Sequence, residues 1–282
     1  MSVGRCRLTL KSGKFVRSHI IPKALTRIAR RGSGVMEISP ATARPKLRYD
    51  SWYDSNLVIK LGEDILSAYD NYGISELKRL MLIWGGWGEA AVCPAPFSNL
   101  GASPLGVRQV DLEDGRRLRA FFLSLLWRFS ATSKPEFAHI NVGAEREERL
   151  RKILLKEEDD DINLFPIALF QIPQVGPRHN FVPTNEVLNL PIISGDECSG
   201  TRPMNVVRAY FDGLVVFFYL DENVDGSDDE ISFLHGKKLT VATLEPRGSI
   251  QFVMHDEALA EAEALYPDEF SRIMRTISRP SR

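Results

Sequence analysis

The feature that most constrains the fold is an apolar stripe in the middle of the chain. Large apolar residues recur there at spacings of three and four positions: Leu118, Phe121, Phe122, Leu125, Leu126 and Phe129. This spacing follows the 3.6-residue turn of an α-helix, and its width predicts a helix with a wide buried face. The segment "REERLRKILLKEE" (146–158) predicts a second helix after it.

From about residue 163 the pattern changes from helices to strands. Four segments are rich in β-branched and aromatic residues, which favour strands: "VVRAYF" (206–211), "LVVFFYL" (214–220), "KLTVATL" (238–244) and "SIQFVM" (249–254). Asp212 and Gly213 lie between the first two segments and predict a hairpin turn. We therefore predict an α+β fold with a mainly antiparallel sheet, divided as helices in 115–156, a sheet at about 163–255 and helices in 256–278. The last helix begins at Pro267, and its residues predicted to face inward are Phe270, Ile273, Met274 and Ile277.

An uncharged stretch rich in Pro, Gly and Ser, "CPAPFSNLGASPLG" (93–106), predicts a linker between residues 1–92 and residues 107–282. In the first part, "RLTL" (7–10) and "KFVR" (14–17) flank "KSG" and predict a hairpin. The later segments predict, in chain order, a short helix "KALTRIARR" (23–31) after Pro22, a basic loop over 32–50, and two helices, "GEDILSAYDNYG" (62–73) and "ISELKRLMLIW" (74–84).

The net charge of the 282-residue chain is −1, but the charges are distributed unevenly. Residues 5–31 contain nine basic residues and no acidic one: Arg5, Arg7, Lys11, Lys14, Arg17, Lys23, Arg27, Arg30 and Arg31. A local positive field of this kind suits the phosphate backbone of DNA, whose binding is largely electrostatic. The alternative is an ordinary solvated basic face.

The apolar runs and the cysteines exclude two classes of protein. The longest apolar runs, "FFLSLLW" (121–127) and "LVVFFYL" (214–220), are too short to span a bilayer, and no apolar segment follows the N-terminus as in a secretory signal. The three cysteines are widely spaced and odd in number, which argues against a disulfide framework. We therefore predict a cytoplasmic protein that does not enter membranes.

A local motif in the basic region resembles a known family. "RSHIIPKAL" (17–25), with Cys6 before it and "GEDILSAYD" (62–70) after it, resembles the HNH, or ββα-metal, nuclease superfamily. The likeness is closer to bacterial HNH-type proteins with the pattern "C-x-x-C … SHIIPK … C-x-x-C-E … LS-x-Y-E". "LRAFFLSLLWRFSATSKPEF" (118–137) is similar to the helix that follows the finger in these proteins, where an "lWR.s.s" signature recurs. The resemblance implies an N-terminal ββα-metal (HNH-like) finger with helices, followed by the α+β domain.

The resemblance also implies roles for particular residues. His19 would be the general base that activates water, Asn56 would orient it, and Glu63 would hold a divalent metal ion, Mg²⁺ or Mn²⁺. A histidine suits the first role because its ordinary pKa lies near neutral pH. Asp64 or Asp70 would contribute to the metal site only if the helix presents it inward. The alternative is that His19 is a structural histidine, satisfied by backbone partners in a finger that has lost its activity.

The zinc-binding cysteines of these relatives are largely missing here. Cys6 is present, but Thr9 stands in the place of its partner, and Ile59 and Gly62 occupy the second pair. A structural zinc ion needs four ligands, so one cysteine cannot complete the site. We predict no structural zinc and expect apolar packing, including Ile59, to hold the finger.

Two functions follow from these observations. The first is an HNH-like nuclease-related protein that engages DNA through its basic finger and hydrolyses phosphodiesters with one divalent metal; a role in bacterial defence is implied by the kind of protein it resembles. The second is an inactive HNH-like scaffold that acts as a binding or regulatory partner. The acidic runs at 157–161 and 221–230 of the C-terminal domain would then contact a basic protein.

Overall fold

The computed structural model describes residues 2–26, 35–38, 44–95, 98–99, 106–176, 180–194, 197–221, 234, 236–243 and 250–277. This part of the chain has a mixed α+β fold. Its five α-helices are α1 (Lys60–Arg79), α2 (Gly115–Ala131), α3 (Ala144–Leu155), α4 (Ile250–Leu265) and α5 (Pro267–Ile277). No helix in these ranges combines the length and apolar character needed to cross a membrane.

Fourteen strands lie in the same ranges. They are β1 (Val3–Arg5), β2 (Ser12–Lys14), β3 (Ser18–His19), β4 (Val35–Ile38), β5 (Lys46–Arg48), β6 (Tyr53–Asp54), β7 (Ser98–Asn99), β8 (Gly106–Asp111), β9 (Ile167–Gln171), β10 (Asn180–Phe181), β11 (Thr184–Ser194), β12 (Glu197–Phe211), β13 (Leu214–Tyr219) and β14 (Lys238–Thr243). Three short 3₁₀ turns accompany them at Lys23–Leu25, Trp84–Gly86 and Pro135–Phe137.

Seven strands form the main sheet, in the order β11-β12-β13-β9-β14-β8-β7. Its neighbours are antiparallel except for β14 and β9, which run parallel, so the predicted mainly antiparallel sheet is confirmed. The predicted turn at Asp212 and Gly213 joins β12 to β13, and both residues have positive φ angles, 48° and 92°. Paired positive φ angles characterise the tight turns that match the twist of a hairpin.

The apolar stripe lies on α2, as predicted, and α2 is buried along almost its whole length. Asp114 caps its start by accepting a hydrogen bond from the backbone N–H of Arg117 at 3.1 Å. The rings of Phe122 and Phe129 contact Phe218 of β13 edge to face, at 6.5 and 6.4 Å between centroids. Helices α1 and α3 pack against α2, so α2 forms the centre of the largest core.

The opposite face of the sheet has a second core. Residues that alternate with those facing α2, such as Val215 and Phe217 on β13, pack there with Trp84 and with Phe252 of α4. The Trp84 indole N–H donates to the Ile172 carbonyl at 3.1 Å, which satisfies the polar atom of this buried ring. The sheet is therefore covered on both faces, as its almost wholly apolar strand β13 requires.

The C-terminal helix confirms one prediction and corrects another. On α5, Ile273 is buried, and Phe270, Met274 and Ile277 pack beside it, as predicted. The segment 249–254, predicted as a strand, instead lies at the start of α4 from residue 250 onward. The β-branched and aromatic residues of this segment favour a strand, but tertiary packing makes it helical. Gln251, His255 and Ala262 are all buried on one side of the helix, as the helical repeat requires.

The N-terminal region differs from the prediction in three places. The first hairpin pairs β1 with β2, and residues 7–10 lie in its turn, because hydrogen bonds from Leu10 N to Cys6 O and from Cys6 N to Lys11 O close a loop there. The two helices predicted over 62–73 and 74–84 form one continuous helix, α1, which ends at Arg79, so residues 80–84 are not part of it. The loop predicted over 32–50 contains strands β4 and β5, which pair with each other. The predicted helix over 23–31 is described only to residue 26, where it is a 3₁₀ turn.

The predicted linker over 93–106 is joined to the sheet wherever it is described. Cys93 is buried and its N–H donates to Pro173 O at 2.7 Å, while β7 pairs with β8 at the sheet edge. One cluster of buried residues includes Cys6, Leu66, Phe121 and Val241, from both sides of this segment. The proposed boundary therefore does not separate two cores among the described residues.

Helix α1 packs closely on α2 at Gly73, where a Cβ atom would lie 2.1 Å from Cγ of Phe121. We predict that Gly73→Ala destabilises the protein by about 1–3 kcal/mol, because overpacking forces the helices apart. In an uncrowded helix the same change is stabilising by roughly 0.5–1 kcal/mol, so the sign is diagnostic. Urea unfolding measures the effect, and Asn71→Ala at an exposed position of α1 is the control. Stabilisation by Gly73→Ala would show that the two helices are not in contact there.

Candidate functional site

His19 lies on the short strand β3, whose pairing with β6 sets the direction of its side chain. Ser18 pairs with Asp54 and His19 pairs with Tyr53. Successive strand residues face opposite sides, so Ser18 and His19 point in different directions. Ser18 is buried, whereas the imidazole of His19 retains 32% of its exposure. The strand therefore presents the predicted base to solvent.

The partner of His19 is Asp50, which the sequence analysis did not single out. His19 Nε2 lies 3.4 Å from Asp50 Oδ1, and no other hydrogen bond to this ring is formed by the described residues. The same carboxylate accepts from Arg17 Nη2 at 2.5 Å and from Ser51 N at 2.9 Å, and Lys23 Nζ lies 3.5 Å from it. We call Arg17, His19, Lys23, Asp50 and Ser51 the Asp50 cluster.

The charge of Asp50 is stabilised by these partners. Burial alone would raise the pKa of its carboxyl, but the hydrogen bonds from Ser51 N–H and His19 and the charge of Lys23 outweigh it and lower the pKa below its usual value. The guanidinium of Arg17 is also stacked on Tyr53, with 3.6 Å from its carbon to the ring centroid. The cluster is therefore a group of hydrogen-bond donors, two of them permanent cations, around one carboxylate.

Glu63, the predicted metal ligand, lies in the first turn of α1 and faces the protein interior. Burial raises the pKa of its carboxyl, and the Ser18 hydroxyl and the charges of Arg128 and His19 offset this only in part. Ser18 Oγ and Glu63 Oε2 are both buried; the Ser18 hydroxyl is close enough to act on this carboxyl, but neither atom forms a hydrogen bond of good geometry in the described part of the chain. Buried polar atoms without a protein partner call for water or an ion.

The second carboxylate on this face of α1, Asp70, is already paired. It lies seven residues after Glu63, and both its oxygens accept from Arg128 of α2, at 3.0 and 2.5 Å. Asp64 is exposed and pairs with Lys60 one turn earlier. Glu63 is thus the one candidate carboxylate of α1 that faces inward without an arginine partner among the described residues.

The oxygens of Glu63 and Ser18 fit a hard cation such as Mg²⁺, which is commonly held by one or two carboxylates together with waters and substrate phosphates. They do not form a complete protein site. Within the described ranges, no three His, Cys, Asp or Glu side chains come together as a metal-binding group. A metal ion here would need ligands from water and substrate.

Asn56, the predicted orienting residue, lies just after β6. Its amide oxygen accepts from Ser2 Oγ at 3.1 Å, and its backbone N–H donates to Asp54 Oδ1 at 2.8 Å. Asp54 in turn accepts from Thr132 Oγ1 at 2.7 Å, which joins β6 to the end of α2. The structure therefore places Asn56 beside the N-terminus and gives His19 a different partner, Asp50.

The four positions compared with zinc ligands lie close together. Thr9 N donates to Cys6 Sγ at 3.3 Å, and a Cβ atom on Gly62 would lie 3.0 Å from the same sulfur. Ile59 is buried and pairs with Phe15 through an isolated bridge. Its burial agrees with the predicted apolar packing. Leu8 O, in the same loop, accepts from the buried Arg151 of α3 at 3.1 Å.

The basic residues predicted to bind nucleic acid are exposed wherever the structure describes them. These residues are Arg5, Arg7, Lys11, Lys14, Arg17 and Lys23; the other three, Arg27, Arg30 and Arg31, lie outside the described residues. Three of the six form salt bridges, Arg7 with Glu147 and both Arg17 and Lys23 with Asp50. The surface around His19 is therefore positive, and one carboxylate lies within it.

The sequence analysis missed Asp50, Tyr53 and Arg128. Asp50 and Tyr53 belong to "RYDSWYD" (48–54), which carried no recognisable spacing relative to His19. Arg128 did carry a signal, because it is the arginine of the "lWR.s.s" signature. The structure explains its position, since Arg128 Nη1 also donates to His19 O at 3.0 Å.

Comparison of the chain with protein-family models, curated proteins and solved structures finds no match. The likeness to HNH proteins therefore depends on the quoted residues alone, and the ββα finger that it implies stays a prediction.

We predict that Arg128→Met destabilises the protein by about 3 kcal/mol, the lower end for a buried ion pair, because it leaves the half-buried Asp70 carboxylate without its arginine partner. Arg116→Met, at an exposed position of the same helix, is the control and should change stability by less than about 0.5 kcal/mol. Chemical unfolding measures both variants. Equal effects would mean that the pair of Arg128 with Asp70 contributes nothing specific.

The raised pKa of Glu63 predicts a pH-dependent effect of Glu63→Gln. The folded state binds the proton of the Glu63 carboxyl more tightly than the unfolded state does. The protein therefore loses stability as the pH rises from 4.5, the ordinary pKa of this group, through its raised pKa in the folded state. We expect the variant to melt higher than wild type at about pH 7 and to lose this advantage at about pH 4. Glu89→Gln at an exposed position is the control. A pH-independent difference would contradict the burial of the Glu63 carboxyl.

Proposed function

We propose that the protein binds DNA through the basic surface of its N-terminal region and hydrolyses phosphodiester bonds, with His19 as the general base. One observation carries the proposal. The half-exposed imidazole of His19 lies among exposed cations, and its Nδ1 atom forms no hydrogen bond within the described part of the chain. A base of this kind needs access to water and a neutral ring near pH 7, which histidine provides.

The two ring nitrogens of His19 have separate roles in this proposal. The Nε2–H donates to an anion, which is Asp50 in the free protein, and this fixes the tautomer in which Nδ1 can accept a proton from water. Arg17 and Lys23, on either side of His19, attract and position the negative backbone of DNA. The contact of Arg128 with His19 O holds the strand that carries the base.

Glu63 and Ser18 would hold the divalent metal, Mg²⁺ or Mn²⁺; Ser18 and His19 point to opposite sides of β3, so the ion and the base would act on the phosphodiester from different sides. Ser18 Oγ and Glu63 Oε2 are both buried, and burial raises the pKa of the Glu63 carboxyl, so a bound cation would offset the cost of a negative charge there. A bound divalent ion supplies stabilisation of the charge that develops on a phosphate and its leaving oxygen.

The second candidate function is an inactive scaffold that binds a partner. It is favoured by the commitment of Asp70 to Arg128 and by the raised pKa of Glu63, since both weaken a metal site. Its acidic contact surface is reduced, because within 157–161 Glu157, Glu158 and Asp160 already pair with arginines. Of the run 221–230, only Asp221 is described, and it accepts from Asn205.

A plasmid-nicking assay with Mg²⁺ or Mn²⁺ tests the proposal. We expect wild type to nick supercoiled DNA and His19→Ala to lose at least about a hundredfold in rate, the usual contribution of a general base. His139→Ala is the matched control, because this histidine is exposed and contacts Pro183 O.

Binding of a labelled duplex at several salt concentrations separates the two candidates. No nicking by wild type, together with duplex binding that weakens steeply with salt, would reject the nuclease and favour a scaffold that still holds DNA. No binding to DNA at all would reject the proposal as a whole.

A further inference from the structure

Four donors converge on the single carboxylate of Asp50. They are Arg17 Nη2 at 2.5 Å, Ser51 N at 2.9 Å, His19 Nε2 at 3.4 Å and Lys23 Nζ at 3.5 Å. Two permanent cations, an imidazole and a backbone N–H are also the groups that proteins use to bind phosphate oxygens. The donor set around Asp50 therefore has the chemistry of a phosphate site, with a carboxylate in the place of the phosphate.

The cluster is accessible to a ligand from solvent. The side chains of Asp50, His19, Arg17 and Lys23 retain 30%, 32%, 44% and 59% of their exposure. Asp50 comes from the loop that follows β5, whereas His19 is on a paired strand. The Asp50 carboxylate can therefore move out of the cluster without breaking the pairing of β3 with β6.

Two of the donors, Arg17 and His19, are held in position by contacts other than those with Asp50. Arg17 is stacked on the ring of Tyr53, and the pairing of β3 with β6 holds His19 beside that same residue. Arg128 holds the backbone of His19 through its carbonyl. Donors fixed in this way remain directed at the same point when the carboxylate moves away, which lowers the cost of binding an anion there.

We propose that the Asp50 cluster is a phosphate-binding site and that the Asp50 carboxylate occupies it in the free protein. An incoming phosphate group displaces Asp50 and accepts hydrogen bonds from Arg17, His19, Lys23 and the Ser51 N–H. Asp50 therefore competes with the ligand and weakens its binding. If the ligand is a phosphate of the DNA backbone, the inference rests on the proposed function. A free phosphate would be bound by the same donors.

The test is Asp50→Asn, which keeps the size of the side chain and removes its charge. We expect this variant to bind a labelled duplex about tenfold more tightly than wild type, because a charged competitor for several hydrogen bonds is removed. Asp64→Asn is the matched control. It removes the same charge from another exposed ion pair, that with Lys60, and should tighten binding less than about twofold.

Calorimetric titration with inorganic phosphate distinguishes this site from the proposed function. Tighter phosphate binding by Asp50→Asn without any duplex binding would support the site and reject DNA as the ligand. Duplex binding by wild type that Asp50→Asn fails to tighten beyond Asp64→Asn would reject the site and leave the DNA proposal intact. Weaker binding of both ligands by Asp50→Asn would also overturn the inference.

A second pair of variants tests the site without changing Asp50. Arg17→Gln should weaken binding of the duplex or of inorganic phosphate about tenfold, whereas Lys60→Gln, which removes a more exposed cation outside the cluster, should have a much smaller effect. Equal losses would show only a general charge effect and would contradict a defined site.

Discussion

The arrangement of the N-terminal region depends on one buried arginine. Arg128, with 1% of its side chain exposed, donates to both oxygens of Asp70, to His19 O, and to the carbonyl and hydroxyl of Ser124. Its helix, α2, is fixed against the sheet by its apolar face. The hydrogen bonds of Arg128 therefore fix α1, through Asp70, and strand β3, through His19 O, relative to α2. A buried charge is tolerated only when its hydrogen bonds are satisfied, so the partners of Arg128 must lie at defined positions around its guanidinium.

The same contact decides what chemistry is available near His19. Because Asp70 is committed to Arg128, Glu63 is left as the inward carboxylate of α1 without an arginine partner in the described residues, beside Ser18. The loop around Cys6 is held by the burial of Cys6 and Leu8 and by Arg151 from α3, which donates to Leu8 O. Tertiary contacts with the C-terminal part thus position the whole region, which explains why one core extends across the predicted linker.

Much of the fold was predictable because its signals are local. The spacing of residues such as Phe122 and Phe129 specified α2, and the pair Asp212–Gly213 specified the central hairpin. The segment at 249–254 was misread because its β-branched and aromatic residues favour a strand, while burial on one side of α4 imposes a helix. Gly73 looked like the boundary of two helices, but it allows close packing against Phe121 within one.

By itself, the sequence determined the fold class, the basic character of residues 5–31 and the candidacy of His19. Periodicity, composition and a short motif are properties of neighbouring residues, and these features need nothing more. Only the tertiary structure decided that Asp50 is the partner of His19 and that Asp70 belongs to Arg128. Their partners lie 31 and 58 positions away along the chain, and hydrogen bonds over such separations are set by how packed elements meet.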